Sequence, residues 1–589
     1  MDRAASRPFP RRPVQWNRPM TRRNPEISRI DLHTKYQRRF EDEGTSPSLL
    51  STFLNIPDYS PRLEYELPVF QNVLDETILR RICEGNFETP SNLAAWLHDR
   101  DLSNRPRSYN GSLSLLDFDR HLNLQRVGEK DTPNADTRKI CINNPCQWTL
   151  GVLAVRAPEH QAPVIRDFMF KHLTAKTSIG LDTAIDGSFT LEFHLAYPVW
   201  KREHSPRRDQ RVTGDGLPLR KSTDLSFLPG APRSDRIAHG LDYLHEAQTS
   251  ICVTGRDTSH WTAIGLTDSY FEDDSDPNNE YLLPFYVADP YPDPDMTSCD
   301  LDALSIANLT ADNVSVTDPR EYFLLVVKFH VARITQHWMN VLFKLKDMID
   351  EYLSSPHIPL TRRESSLGTM RGESYAIEAS EAWLGQTSDL VIQWILLLTK
   401  TIKAWNKFFD QDASRIVCQS SEDGLNHMND SLYEISRSLD ELGAVREEME
   451  ELKVKVERFE KKLGLHVAVG DNRAIVLQYW NVTILQFISP FAVAGTIMQA
   501  GLVFGHPVLC FTVLASAVAF IMWALKPTLT WLAMKARLEE ADNAVPQQLI
   551  QGLQLENGVQ TTSYSLPTYP TMAYHRFQGV SIDKSNQVM

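Results

Sequence analysis

Hydrophobic and polar positions divide the chain into stretches of different character. From residue 46 to about 318, short apolar runs alternate with turns rich in Pro and Asp. Trp148–Val155, Phe189–Tyr197, Ser250–Thr254, Trp261–Leu266 and Tyr281–Val287 read as β-rich segments from their length and their β-branched and aromatic content. Ser250–Gly255 and Trp261–Gly265, joined by Arg256–His260, predict a hairpin with its loop beside Gly255. Residues 201–237 are polar, basic and punctuated by Pro and Gly, which predicts a loop or insertion.

Beyond Pro319 the apolar spacing changes to three and four. Phe323, Val327, Val331, Ile334, Trp338, Val341, Leu345 and Ile349 form a broad stripe that predicts one long helix over Glu321–Leu353. A second is expected over about Tyr375–Phe409. Its apolar run Leu390–Leu398 is closed in by Asp389 and Lys400, which suits a bundle helix better than a membrane span. Leu432, Ile435, Leu439, Leu442, Val445, Met449, Leu452, Val456, Phe459 and Leu463 then follow a heptad seam, with one extra three-residue step at Leu442–Val445. Such a seam predicts a coiled coil or a long stalk helix, joined by self-association or by helix pairing; a lone amphipathic helix packed on its own domain is the alternative.

Between Arg473 and Lys526 the chain has no Asp, Glu, Lys or Arg. A bilayer core needs roughly 20 apolar residues per helix. The expectation is a two-span transmembrane hairpin over 476–526, with spans at Tyr479–Val503 and Pro507–Leu525 and a turn at Phe504–Pro507. Lys461, Lys462 and Arg473 on one side and Lys526, Lys535 and Arg537 on the other place both termini on the cytosolic or matrix side. Asn481, Ser489, Thr496 and Gln499 share one sector of the first span. That sector suits a pore lining and helix–helix packing equally.

Composition adds boundaries more than chemistry. The net charge of −14 is spread along the chain and gives no support for a nucleic-acid partner. Seven cysteines imply no disulfide framework, and Cys141 and Cys146 lack a second pair at zinc-ligand spacing. Ten arginines crowd residues 1–40 among prolines, so residues 1–45 are expected to be a disordered basic arm. Residues 527–589 are expected to be a helix end and a disordered tail rich in Gln, Ser, Thr and Tyr. Cys252, Asp257 and His260 lie near one another in sequence, but no nucleophile or phosphate-loop signature surrounds them; no enzyme and no catalytic residue is expected.

The order of these parts resembles the CorA magnesium-channel superfamily. The expected fold class is an α+β cytosolic domain (46–318), then long helices with a stalk coiled-coil helix (319–475, the stalk from about 431), then the C-terminal hairpin. Thr483 with Phe487, Ser489-Pro490-Phe491 and Ala494-Gly495 resemble the family's Thr, Pro and Ala-Gly positions. Cys252-Val253-Thr254-Gly255 with Trp261-Thr262-Ala263 is similar to a group of large filamentous-fungal proteins with a CorA-like C-terminal region. The family's Gly-Met-Asn tripeptide is absent, and Gly495-Thr496-Ile497-Met498-Gln499 stands in its place.

The resemblance implies a divalent-cation channel, with Mg²⁺ as the transported or regulatory ion and no other cofactor. It implies a homo-oligomer, five subunits in the family, in contact with a lipid bilayer. Asn481, Ser489, Thr496 and Gln499 become pore-lining candidates, and Asp268, Asp273 and Asp274 become candidate metal ligands between subunits. The missing tripeptide supports the alternative, a membrane-anchored oligomeric scaffold that has lost conduction.

Overall fold

The computed structural model describes residues 49–54, 63–87, most of 93–272, 302–304, 318–354, 370–417, 422–499, and short pieces at 511–513, 515–517 and 520. The chain divides into two compact units, Met1–Val467 and Ala468–Met589. The expected N-terminal arm, the C-terminal tail, the segment Tyr281–Val287, and Asp257, Asp273 and Asp274 lie outside the described residues.

The first part of the larger unit alternates helices and strands. In chain order these are α1 (Leu49–Leu54), α2 (Leu63–Val73), α3 (Glu76–Glu84), β1 (Leu93–Arg100), β2 (Gly111–Ser114), α4 (Leu115–Asn123), β3 (Thr137–Asn143), α5 (Gln147–Val155) and α6 (Ala162–Leu173). The strands β4 (Ser178–Thr183), β5 (Phe189–Glu203), β6 (Ser222–Asp224), β7 (Leu241–Gly255) and β8 (Trp261–Thr267) follow. The long helices α7 (Pro319–Ser354), α8 (Met370–Phe408) and α9 (Glu422–Gln499) come last. A π-helical turn, Phe409–Ala413, and one further turn, Ser414–Val417, lie between α8 and α9.

The strands form one mixed sheet in the order β2-β1-β3-β8-β7-β5-β4, with β6 paired to β7. Only the β3–β8 pairing is parallel among them. The predicted hairpin is present: β7 and β8 pair antiparallel, with Gly255 opposite Trp261. A Cβ on Gly255 would sit 2.6 Å from the His260 carbonyl oxygen, so this tight return needs glycine.

Alternation along the strands builds two cores, one on each face of the sheet. Trp261 and Ala263 of β8, Ile251 and Val253 of β7, and the odd positions from Phe189 to Val199 of β5 join α7, α8 and α9. Ile264 and Leu266, Cys252, and Ile140 and Ile142 face the other way and join α1 to α6. The result is a helix–sheet–helix sandwich, consistent with period-two strands buried on both faces.

Two expectations are corrected here. Trp148–Val155 is not a strand but α5. Thr149 accepts a hydrogen bond at its hydroxyl from the Cys146 N–H (3.0 Å), which caps the helix start, and the segment is apolar on nearly every side. A short apolar run buried all round carries no period, so strand and helix look alike in it. The transmembrane hairpin is not found either: among the described residues no helix is long and apolar enough to cross a membrane. Within α9 the apolar positions past Arg473 are broken by Asn481, Gln486, Ser489, Pro490, Thr496 and Gln499 before the helix ends. Most of the expected second span lies outside the described residues.

The heptad seam has a definite destination. All ten seam residues from Leu432 to Leu463 are buried in the core shared with α7 and α8. α7 and α9 run parallel: Glu321 pairs with His427, Lys346 with Glu448 and Asp350 with Lys455. Near the far end of α7, Tyr352 stacks on Trp383 of α8 at 3.8 Å, and Phe459 of α9 meets both rings edge-on. Of the two forms expected for the seam, self-association and helix pairing, the one seen is pairing with the chain's own α7 and α8.

Candidate functional site

The candidate metal ligand Asp268 follows the last strand, β8, and is fully buried. Arg220 donates to its Oδ2 through Nε at 2.6 Å, and Arg211 to its Oδ1 through NH1 at 2.6 Å. The backbone N–H of Gln248 adds a bond to Oδ2 at 2.9 Å, and His172 Nε2 lies 3.3 Å from Oδ1. Burial alone would raise this carboxyl, but the charges of Arg211 and Arg220 outweigh it and hold Asp268 well below the usual carboxylate range. Both oxygens are committed to protein donors. Among the described residues no group of three or more His, Cys, Asp or Glu could hold a metal ion.

This carboxylate anchors a larger polar network that sequence reading missed. Arg220 also donates to the carbonyls of His172 and Leu173, closing the C-terminal end of α6. Asp209 accepts from Arg211 through both of its oxygens, at 2.8 and 2.7 Å. Behind them, Ser250 Oγ lies 3.0 Å from His172 Nδ1 and 2.9 Å from His194 Nδ1. Lys171 binds Glu192 beside His194. One signal was present in the sequence: Glu192 and His194 of β5, and Gln248 and Ser250 of β7, stand at period two, on the face opposite the apolar residues.

Asp268, His172 and Ser250 have the residue types of a nucleophilic relay. Ser250, His172 and Asp268 are all sealed from solvent, so no substrate reaches the hydroxyl. Burial lowers the His172 imidazole to about 4 against the pull of Asp268, so it is neutral at physiological pH. What this arrangement does chemically is hold two arginines, a carboxylate and the end of β8 in fixed positions.

The network reaches the surface at a cleft of about 630 Å³. Arg207, Arg208, Arg211, Tyr270 and Gln147 are among its walls. Arg207 donates to the Glu272 carbonyl and Arg211 is held by Asp209 and Asp268. Arg208 alone of these arginines is exposed at the rim.

The other singled-out residues are dispersed. Cys252 is buried in β7, where burial pushes its thiol far up, away from thiolate. His260 lies 3.4 Å from Asp136. Cys141 is buried in β3, and Cys146 precedes α5. The four pore-lining candidates all stand on α9, in the second unit. Asn481 and Thr496 are exposed, and the Thr496 hydroxyl donates to the Ala492 carbonyl at 3.0 Å. The side chains of Ser489 and Gln499 are outside the described set.

Near Asn481 the same helix exposes Ile475, Val476, Tyr479, Trp480, Ile484, Leu485 and Ile488. At about 100° per residue these positions circle the helix and do not form one stripe.

Among solved structures, the chain is similar to the soluble domain of CorA from Methanocaldococcus jannaschii. Identity is 9%, 62% of this chain and 96% of that chain are covered, and the TM-score is 0.28. It is also similar to the full-length CmaX protein, at 12% identity over 76% of this chain and 100% of that chain, with a TM-score of 0.26. No protein-family model and no curated protein matches the chain.

Proposed function

We propose that this chain is a self-assembling protein of CorA-like design, and that Ile475–Ile488 of α9 is its assembly surface. The observation that carries the reading is the exposure of seven large apolar side chains within that one stretch of helix. Leaving apolar surface in water costs about 25 cal/mol per Å², and a helix apolar on all sides is ordinarily covered. A second copy supplies a matching surface. The absence of formal charge from residue 474 to 525 removes like-charge repulsion between parallel copies.

The test is sedimentation equilibrium of the full chain, with crosslinking as a second measure. The unaltered chain is expected to be oligomeric, and Trp480→Glu with Leu485→Glu is expected to be monomeric. A monomeric parent chain, or oligomers unchanged by the double substitution, would overturn the reading.

A second reading, divalent-cation transport with Mg²⁺ the likeliest cargo by resemblance, is supported by the polar sector. Asn481, Ser489, Thr496 and Gln499 fall within about 80° of one another around α9, and their amide and hydroxyl oxygens suit a hydrated hard cation. Expression in cells lacking their own magnesium uptake should restore Mg²⁺-dependent growth and flux. Thr496→Leu with Gln499→Leu should abolish that rescue. Absence of rescue by the unaltered, correctly expressed chain counts against transport and leaves the assembly reading intact.

A further inference from the structure

A groove of about 490 Å³ lies between the end of α8 and the middle of α9. Trp405, Phe409 and Asp410 form one side, and Asp440, Gly443 and Glu447 line the other. No basic side chain lines it. Gly443 leaves its side of the groove open, since a Cβ there would meet nothing within 4 Å. Phe409 begins the π-helical turn and is 48% exposed, its ring 5.9 Å from that of Trp405. Insertions of this kind are frequent at functional sites.

The groove's charge is uncompensated. Among the described residues Asp410 and Asp440 have no ion-pair partner, and Glu447 has only Arg446, at 4.0 Å. Three exposed carboxylates beside an exposed ring are a poor surface for water-soluble anions or for apolar chains. They match one side-chain type closely. A guanidinium pairs with carboxylates through a planar fork and stacks on an aromatic face.

The chain holds a segment of that chemistry. Residues 1–40 carry ten arginines and one lysine against three acidic residues, and they lie outside the described residues. The 48 residues before Leu49 have an extended reach on the order of 150 Å. A domain the size of the first unit has a radius of gyration of about 22 Å. Reach therefore does not limit contact between the segment and the groove. We propose that this acidic, aromatic groove between α8 and α9 docks the chain's own arginine-rich segment, residues 1–40.

The experiment uses the full chain with a photo-crosslinking phenylalanine analogue in place of Phe409, and in a second preparation in place of Ser436, which lines the α9 side of the groove, followed by peptide mapping. Crosslinks to peptides within residues 1–40, at monomer mass, are the expected result. Asp440→Asn with Glu447→Gln should lower their yield roughly fivefold, the scale of losing two exposed ion pairs. Raised salt should lower it likewise. Asp440→Lys with Glu447→Lys should abolish the crosslinks, and Arg11, Arg12, Arg22 and Arg23 changed to Glu in that background should restore them. Asp440 and Glu447 are exposed, so the fold is expected to survive their substitution, as checked by circular dichroism. Crosslinks that avoid residues 1–40 from both probe positions, or that join two copies only, overturn the proposal. So does a yield that ignores the charge reversals.

Discussion

The helix α9 contains two apolar stretches with opposite fates. From Leu432 to Leu463 its apolar residues keep a strict spacing, and all ten are buried against α7 and α8. From Ile475 to Ile488, seven large apolar side chains among the described residues surround the helix and are exposed. The difference teaches that regular spacing says which face of a helix will be covered, but not by what. A seam that reads as a partner-binding coiled coil is here an internal wall. The stretch proposed as the assembly surface is the one with the weaker pattern and no charge.

Removing interior volume should separate the two stretches most strongly. Trp338 of α7 is fully buried and meets Trp394 of α8 edge-on at 6.4 Å. Trp338→Ala should lower unfolding stability by about 3–5 kcal/mol, and Leu442→Ala in the seam by about 2–5 kcal/mol. Both should leave the association constant per folded chain unchanged. Urea titration read against sedimentation would show it. A seam substitution that changed oligomer size without changing stability would mean the seam also faces another copy.

Trp480→Ala is the converse. Trp480 is 58% exposed in the single chain, so at concentrations where the chain is dissociated its loss should leave the urea midpoint nearly unchanged. Dissociation should become easier by a factor on the order of 10 or more, as for a central aromatic contact.

Acid should act on the packed regions alone. Burial lowers His330 of α7 to about 3 and His172 of α6 to about 4. An unfolded histidine titrates near 6.5. The folded state therefore resists a proton that the unfolded state accepts. Stability is intact above about pH 6.5 and falls as pH drops from there toward 4, by up to about 1.4 kcal/mol per pH unit for each such histidine. Ile475–Ile488 holds no group that titrates in that window, so association by that stretch should not follow the same curve. Denaturation at stepped pH beside sedimentation at the same pH tests this. A flat stability between pH 6.5 and 4.5 would count against these buried neutral histidines.

The smallest effect is expected at the helix surface. Lys455 and Asp350 are 2.6 Å apart but each is nearly half exposed. Lys455→Ala should cost no more than about 1 kcal/mol, and less at high salt.

Much of the fold was legible along the chain. Long helices keep a period of 3.6 over many turns, so the spacing places Glu321–Leu353 within a few residues of α7. The hairpin at Gly255 was legible from two apolar runs and a short polar link. Strand ends were not. β5 continues through Lys201, Arg202 and Glu203 because β7 pairs with it over fifteen residues, a nonlocal cause with no trace in those polar side chains. The same holds for Asp268, which reads as the start of an acidic turn. Its partners Arg211 and Arg220 are about fifty residues away, and only folding brings them to its two oxygens.

The sequence by itself determined the long helices after Pro319, their apolar faces, the hairpin at Gly255, and that residues 474–525 lack formal charge, because these depend on local spacing and composition. The tertiary structure decided what each apolar face meets. It assigned the seam to α7 and α8, sealed Ser250 and His172 between β7 and α6, and committed Asp268 to arginines. It also corrected the membrane-hairpin expectation, since among the described residues no helix is long and apolar enough to cross a membrane. Burial and pairing between distant residues are properties of the folded chain, and no pattern along a single strand or helix encodes which partner will be there.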